Sequence, residues 1–167
     1  GSATSVNALA FFRGEIVAAS SVLSRWDGTS WKLLGGGVAG RVYSLAEVNG
    51  GLIVGGSFSS VGSTPAARVA SWNGSSWSTF GSGVNGTVNA ITVYGGAIVA
   101  SGFFSVAGGV PVNSIARWNG SSWSPLGSGL GGFDGGAFLA VGGEQDDRGG
   151  RRKVAVLLDA AGGLNAV

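Results

Sequence analysis

The tryptophans of this chain stand in pairs, and the pairs recur. Trp26, Trp72 and Trp118 are 46 residues apart, and Trp31, Trp77 and Trp123 repeat the same step, as do Gly35, Gly81 and Gly127. Between these anchors residues 42–86 align with residues 88–132 without a gap, while the first copy, 6–40, lacks ten residues after its second apolar run. A unit of this length buries its apolar surface against its neighbours, so a chain built this way folds as an array of similar pieces.

The grammar of one copy predicts four short strands. "VYSLAEV" (42–48) is rich in apolar and β-branched residues and ends at the turn signal Asn49-Gly50-Gly51. "LIVGG" reads as a second, fully buried strand, followed by a polar loop containing Pro65. "RVASW" and "SWSTF" are two further runs separated by Asn73-Gly74-Ser75-Ser76, so Trp72 and Trp77 should face one another across a hairpin. Four hairpin-linked strands in a repeat of about 46 residues match one blade of a β-propeller. The expectation is therefore all-β: three antiparallel four-stranded blades at 6–40, 42–86 and 88–132, with a degenerate fourth at 134–167.

Each copy also ends on G-x-G-x-x-G: "GGGVAG" (35–40), "GSGVNG" (81–86) and "GSGLGG" (127–132). A dinucleotide site needs a helix after such glycines, so that phosphate meets the helix N-terminus. Here strand-like runs follow, and the glycines are read as left-handed turn residues between blades. No cofactor is expected. Composition agrees with short strands and tight turns: 34 Gly, 44% hydrophobic and 11% charged, against a usual charged share of roughly 25%.

After Gly132 the register slips. "FLAVGG" (138–143) echoes "LIVGG" and "KVAVLLDAAGGL" (153–164) faintly echoes "RVASWNGSSW", while the charged run "EQDDRGGRRK" (144–153) reads as a solvated loop between them. The chain has no Met and opens on Gly1-Ser2, from which we expect a processed chain or a piece of a longer array. Its apolar runs are too short for a spanning helix, which needs roughly 20 residues, and no basic-then-apolar leader opens it.

"LIVGGSF", "ARWNGSSW" and "LGSG" together resemble the kelch and galactose-oxidase-like propeller repeats. They are closer still to the repeats of bacterial secreted or surface proteins and of fungal cortical bud-site-marker proteins. The resemblance covers residues 6–132 and implies a propeller on a secreted or cell-surface protein. It implies little about activity, because propellers host many functions. The turn "SRWDGTSW" also resembles the Asp-box of sialidase-type propellers, but Asn73 and Asn119 replace Asp27 in the other copies, as shared turn chemistry would allow.

The residue inventory excludes much catalysis. With no His and no Cys, a galactose-oxidase-type copper site and the His- or Cys-dependent triads cannot be assembled. A glycosidase would need two of Glu15, Asp27, Glu47, Asp134, Glu144, Asp146, Asp147 and Asp159 across one sugar, and none of the first three recurs at its repeat position. No metal site is expected. Nucleic-acid binding would rest on "RGGRRK" (148–153) alone, beside acids that offset it, and a net charge of +2 does not favour it. Asn73, Asn85 and Asn119 fit the N-glycosylation pattern, though turn chemistry explains the same Asn-Gly pairs.

The expected function is a non-catalytic interaction or structural module. A glycan-binding propeller is the alternative, with candidate ligand residues Trp31, Trp77 and Trp123 stacking on sugar and Arg25 and Arg117 preceding the Trp hairpins, and a glycosidase- or sialidase-like remnant with two carboxylates facing one pocket is the third reading. A protein or glycan is the expected partner. Because three blades and a ragged fourth fall at or below the usual propeller range of roughly 4–8, the expectation is a piece of a longer array, a strained four-blade ring, or pairing of two chains into a larger ring.

Overall fold

The computed structural model describes residues 5–129 with their side chains and, beyond them, the backbone of the strands Phe138–Gln145, Arg151–Leu158 and Leu164–Ala166. Among these residues there is no helix, and the sheets are antiparallel. The first sheet is a meander of β1 (Ala8–Phe12), β2 (Glu15–Ala19), β3 (Leu23–Trp26) and β4 (Trp31–Leu33). The second comprises β5 (Val38–Val48), β6 (Gly51–Val61), β7 (Thr64–Pro65), β8 (Val69–Trp72) and β9 (Trp77–Thr79), in the order β5-β6-β8-β9 with β7 folded onto β6.

The third sheet repeats this plan with β10 (Thr87–Tyr94) and β11 (Ala97–Phe103), then a small separate hairpin of β12 (Val106–Ala107) and β13 (Val110–Pro111). It closes with β14 (Ile115–Trp118) and β15 (Trp123–Pro125). The fourth sheet is β16 (Phe138–Gln145), β17 (Arg151–Leu158) and β18 (Leu164–Ala166).

Local chemistry sets each first hairpin. Its two turn residues are Arg13-Gly14, Asn49-Gly50 and Gly95-Gly96 in the successive copies, all left-handed, with φ of 52° and 82° at the first pair. This is the turn that matches the twist of the strands it joins. A bulge follows at the same repeat position in the second and third sheets, at Val42/Ser44 and Val88/Ala90. β10 is an edge strand, and its outward Ile91 N–H donates to Ser44 Oγ of the preceding sheet, at 2.9 Å. The first strands β1, β5, β10 and β16 thus lie side by side in series.

The core lies between the sheets. Phe12, Val17, Ala19 and Leu23 on one face of the first sheet meet Leu52, Val54 and Ala70 on the second. On its other face the second sheet presents Ile53, Val69 and Phe80 to Ile91, Ala100, Ala116 and Trp123 of the third. Each such aliphatic side chain removed from water contributes roughly 1.5–3 kcal/mol. Gly55 is small because the joint is tight: a Cβ there would stand 2.5 Å from Ile91 Cδ1 and 2.7 Å from Val88 Cγ1 of the next sheet.

The structure differs from the sequence reading in three places. The stretch around Pro65 is a strand rather than a loop, since Ser60 pairs with Pro65 and Val61 with Thr64 around the turn Gly62-Ser63. Proline is tolerated there because β7 is an edge with no ladder donor to lose. The ten residues missing from the first copy correspond to this hairpin.

The second difference concerns the glycine clusters. Val38–Gly40 already belongs to β5, so only Gly35 to Gly37 make the passage between sheets. The third lies in the charged run. Gln145 pairs with Arg151 and Glu144 with Arg152, so its ends are strand rather than loop, and 146–150 lie outside the described residues. There β16 takes the position of a first strand, packing on β10 and β11, where its "LIVGG"-like sequence had suggested a second.

Candidate functional site

The Trp hairpin is the most regular feature of the structure. Trp26 pairs with Trp31, Trp72 with Trp77 and Trp118 with Trp123, with ring centroids 5.5, 5.0 and 5.5 Å apart and tilts of 50–59°. Behind each pair, one side chain organises the turn. Asn73 Oδ1 accepts from the Ser75 N–H, the Ser76 N–H and the Ser75 hydroxyl at 2.9, 2.8 and 3.0 Å. Asn119 and Asp27 do the same for their own turns. At Asp27 these bonds, led by the Thr29 and Ser30 amides, hold the carboxyl far below its usual range.

In the second and third copies the second indole of the pair reaches toward the preceding sheet. Trp77 Nε1–H donates to the Gly35 carbonyl at 2.7 Å, and Trp123 Nε1–H to the Phe80 carbonyl at 2.9 Å. Gly35 has φ of +62°, and a Cβ there would fall 2.5 Å from Trp77 Nε1, so the glycine serves both the turn and the indole above it. The equivalent Gly81 and Gly127 share the left-handed conformation, each with φ of +57°. Phe80 also packs edge-on against Trp118, with centroids 5.6 Å apart.

Burial follows the same logic. Trp123 is 3% exposed, Trp77 is half-buried and Trp31 is 50% exposed. Among the described residues, Trp31 has no sheet in front of it and no β6–β7-type hairpin beside it. No described residue accepts its indole N–H.

Charged side chains gather in a cleft of about 410 Å³ between the first two sheets, lined by Phe12, Arg13, Glu15, Arg25 and Trp72 among others. Arg25 Nη1 donates to Glu15 Oε1 at 2.6 Å, and Arg13 donates to the Asn73 carbonyl of the neighbouring Trp turn. A second cleft of about 330 Å³ lies against the second sheet, where Arg68 donates to the Val84 carbonyl at 2.9 Å. Glu15 is the single carboxylate lining either of these clefts. Glu47 is exposed on β5 and Asp27 is engaged in its turn, so the described carboxylates do not form a facing pair. No group of three His, Cys, Asp or Glu residues is placed to hold a metal among the described residues.

The five candidate ligand residues are not brought together. Arg25 and Trp31 lie on opposite faces of the first sheet, because Trp31 pairs with Trp26 and strand neighbours alternate. Arg117, at the place equivalent to Arg25, is exposed on β14 opposite Ser124, and Ser71 stands between them in the series. Sequence reasoning missed Arg13 and Glu15 as companions of Arg25. The signal was the opposite charge of Glu15, two residues along from the position that pairs with Arg25.

Comparison with protein-family models and with curated proteins found no match. No helix among the described residues is long and apolar enough to cross a membrane.

Proposed function

We propose that this chain is a non-catalytic β-propeller repeat module of a secreted or cell-surface protein, with a structural or protein-interaction role. One observation carries the reading: in the second and third copies the side chains that define the repeat are already engaged, either in joining sheet to sheet or in holding their own turns. The second tryptophans in the second and third copies hydrogen-bond to carbonyls of the preceding sheet, and the Asn or Asp of each turn is saturated by its own loop. What recurs is therefore architecture. The side-by-side first strands are the arrangement a propeller requires, and the placement outside the cell rests on the kelch-like resemblance of the repeats.

A glycan-binding role is the second reading, favoured by the open indole face of Trp31. It is a single-site version, since Trp123 is covered. The test is a fluorogenic glycoside panel, sialosides included, together with a glycan array. We expect neither turnover nor glycan capture. Turnover lost in Glu15→Gln would overturn the non-catalytic reading, and a defined glycan captured by the native chain but not by Trp31→Ala would establish the second.

A further inference from the structure

Asn-Gly steps occur at Asn49, Asn73, Asn85 and Asn119. All of these asparagines are exposed, yet the fold holds three and leaves one loose. Asn73 Oδ1 accepts from the Ser75 and Ser76 amides, and Asn119 Oδ1 from those of Ser121 and Ser122 at 3.0 and 2.9 Å. Asn85 Oδ1 accepts from the Ser105 and Val106 amides, both at 2.9 Å, while its Nδ2 donates to Ser105 Oγ at 3.1 Å. Asn49 sits in the β5–β6 turn, where no described residue bonds its side chain.

The glycine that follows differs as well. A Cβ on Gly74 would run into the Arg13 guanidinium and one on Gly86 into the Phe103 carbonyl, whereas Gly50 has nothing within 4 Å of that position. Gly120 is equally open, but the asparagine before it is held. The β5–β6 ladder closes at Val48 opposite Gly51, so the Gly50 N–H lies outside it. Asn49-Gly50 alone among these steps combines an unheld side-chain amide with an uncrowded backbone nitrogen.

We propose that Asn49 is a site of spontaneous deamidation, selected by the fold rather than by the Asn-Gly step itself. In mildly alkaline water, hydroxide takes the Gly50 N–H proton and the nitrogen attacks Asn49 Cγ. The new N–C bond forms as the bond from Cγ to the side-chain nitrogen breaks, and that nitrogen leaves, protonated, as ammonia. Water then opens the five-membered imide at either carbonyl, leaving aspartate or isoaspartate at position 49. At the other steps the same closure requires Cγ to swing away from the amides bound to Oδ1. Losing two such bonds slows it at least ~10-fold.

The isoaspartate product routes the main chain through the side-chain methylene and lengthens a two-residue turn by one atom. Hairpin register is set by turn length. Here it places Leu52, fully buried in the joint with the first sheet, opposite Glu47. A reaction at an exposed turn thus reaches the core. The inference stands apart from the module reading, since the chemistry needs only this hairpin.

Peptide mass mapping of the chain aged in mildly alkaline buffer, with fragmentation to separate the sites, reads each rate. We expect Asn49 to lose its amide at least ~10-fold faster than Asn73, Asn85 or Asn119. In denaturing guanidinium, where only the shared Asn-Gly step remains, the rates should converge. Equal rates in the folded chain overturn the proposal, and so does an unchanged ranking in guanidinium, which would assign it to neighbouring residues. Asn49→Gly follows the third copy, where Gly95 fills the equivalent place with φ of +57°. That variant should keep its melting temperature through the same ageing while the parent loses part of its own. An equal loss in both overturns the link between turn and joint.

Discussion

Replacing the second tryptophan of each copy with alanine should cost very different amounts, although the three are equivalent in sequence. Trp123 is 3% exposed, packs against Phe80 at 6.3 Å and donates to its carbonyl. Removing such a side chain leaves a cavity and an unpaired acceptor, for a loss of about 3–5 kcal/mol. Trp31 is 50% exposed and unbonded, and its main packing is the pair with Trp26. Such a pair contributes about 0.5–1.5 kcal/mol, and with its modest buried area Trp31→Ala should lose about 1–2 kcal/mol.

Trp77→Ala should fall between the two. The series is measured by urea unfolding followed by circular dichroism, at a concentration where the chain is monomeric, and fitted with nearest-neighbour coupling because arrays need not unfold in one step. Equal costs at Trp31 and Trp123 would refute the idea that the preceding sheet is what these indoles bind.

Gly55→Ala should destabilise by about 1–3 kcal/mol through overpacking against the next sheet, and Ile91→Val in the same chain should restore part of it by removing Cδ1. A double-mutant cycle in urea checks this, and strict additivity would contradict the contact. Asn119→Ala should cost about 1–2 kcal/mol by orphaning the turn amides, while Asn119→Asp should be near neutral in thermal melts at pH 7, because Asp27 already performs that role. Asp27 is held below its usual range in the fold. Its contribution is therefore full above the unfolded value of about 3.9 and fades as pH falls through the folded value. Melting temperatures between pH 5 and 2 should show a shallower acid limb in Asp27→Asn than in the parent.

Much of this was legible in the chain because its local signals are strong and repeated. A five-residue Trp spacing around an Asn-Gly-Ser-Ser turn admits one simple pairing, and Trp72 opposite Trp77 is the outcome. Glycines followed by strand-like runs could not open a helix, and none follows. Pro65 was misread because proline argues against a ladder position, while its place on an edge depends on β6, which is remote from any local rule.

The paired ends of the charged run were hidden for a similar reason: Glu144 and Arg152 read as solvated charges until register places them opposite each other. The open face of the first sheet was not legible at all. Leu9 and Ile91 look alike in sequence, and only the presence or absence of a sheet in front separates them. Arg13 and Glu15 were not joined to Arg25 because neither recurs at its repeat position, and a search guided by repetition discards what does not repeat.

Hydrogen exchange at the tryptophan indoles, followed by 15N-edited NMR in a monomeric sample, tests the central claim most directly. The Nε1–H groups of Trp77 and Trp123 should exchange slowly, each held by a carbonyl of the sheet before it, while that of Trp31 should exchange at close to the solvent rate. Rapid exchange at all three positions, or equal protection of Trp31, would contradict the account.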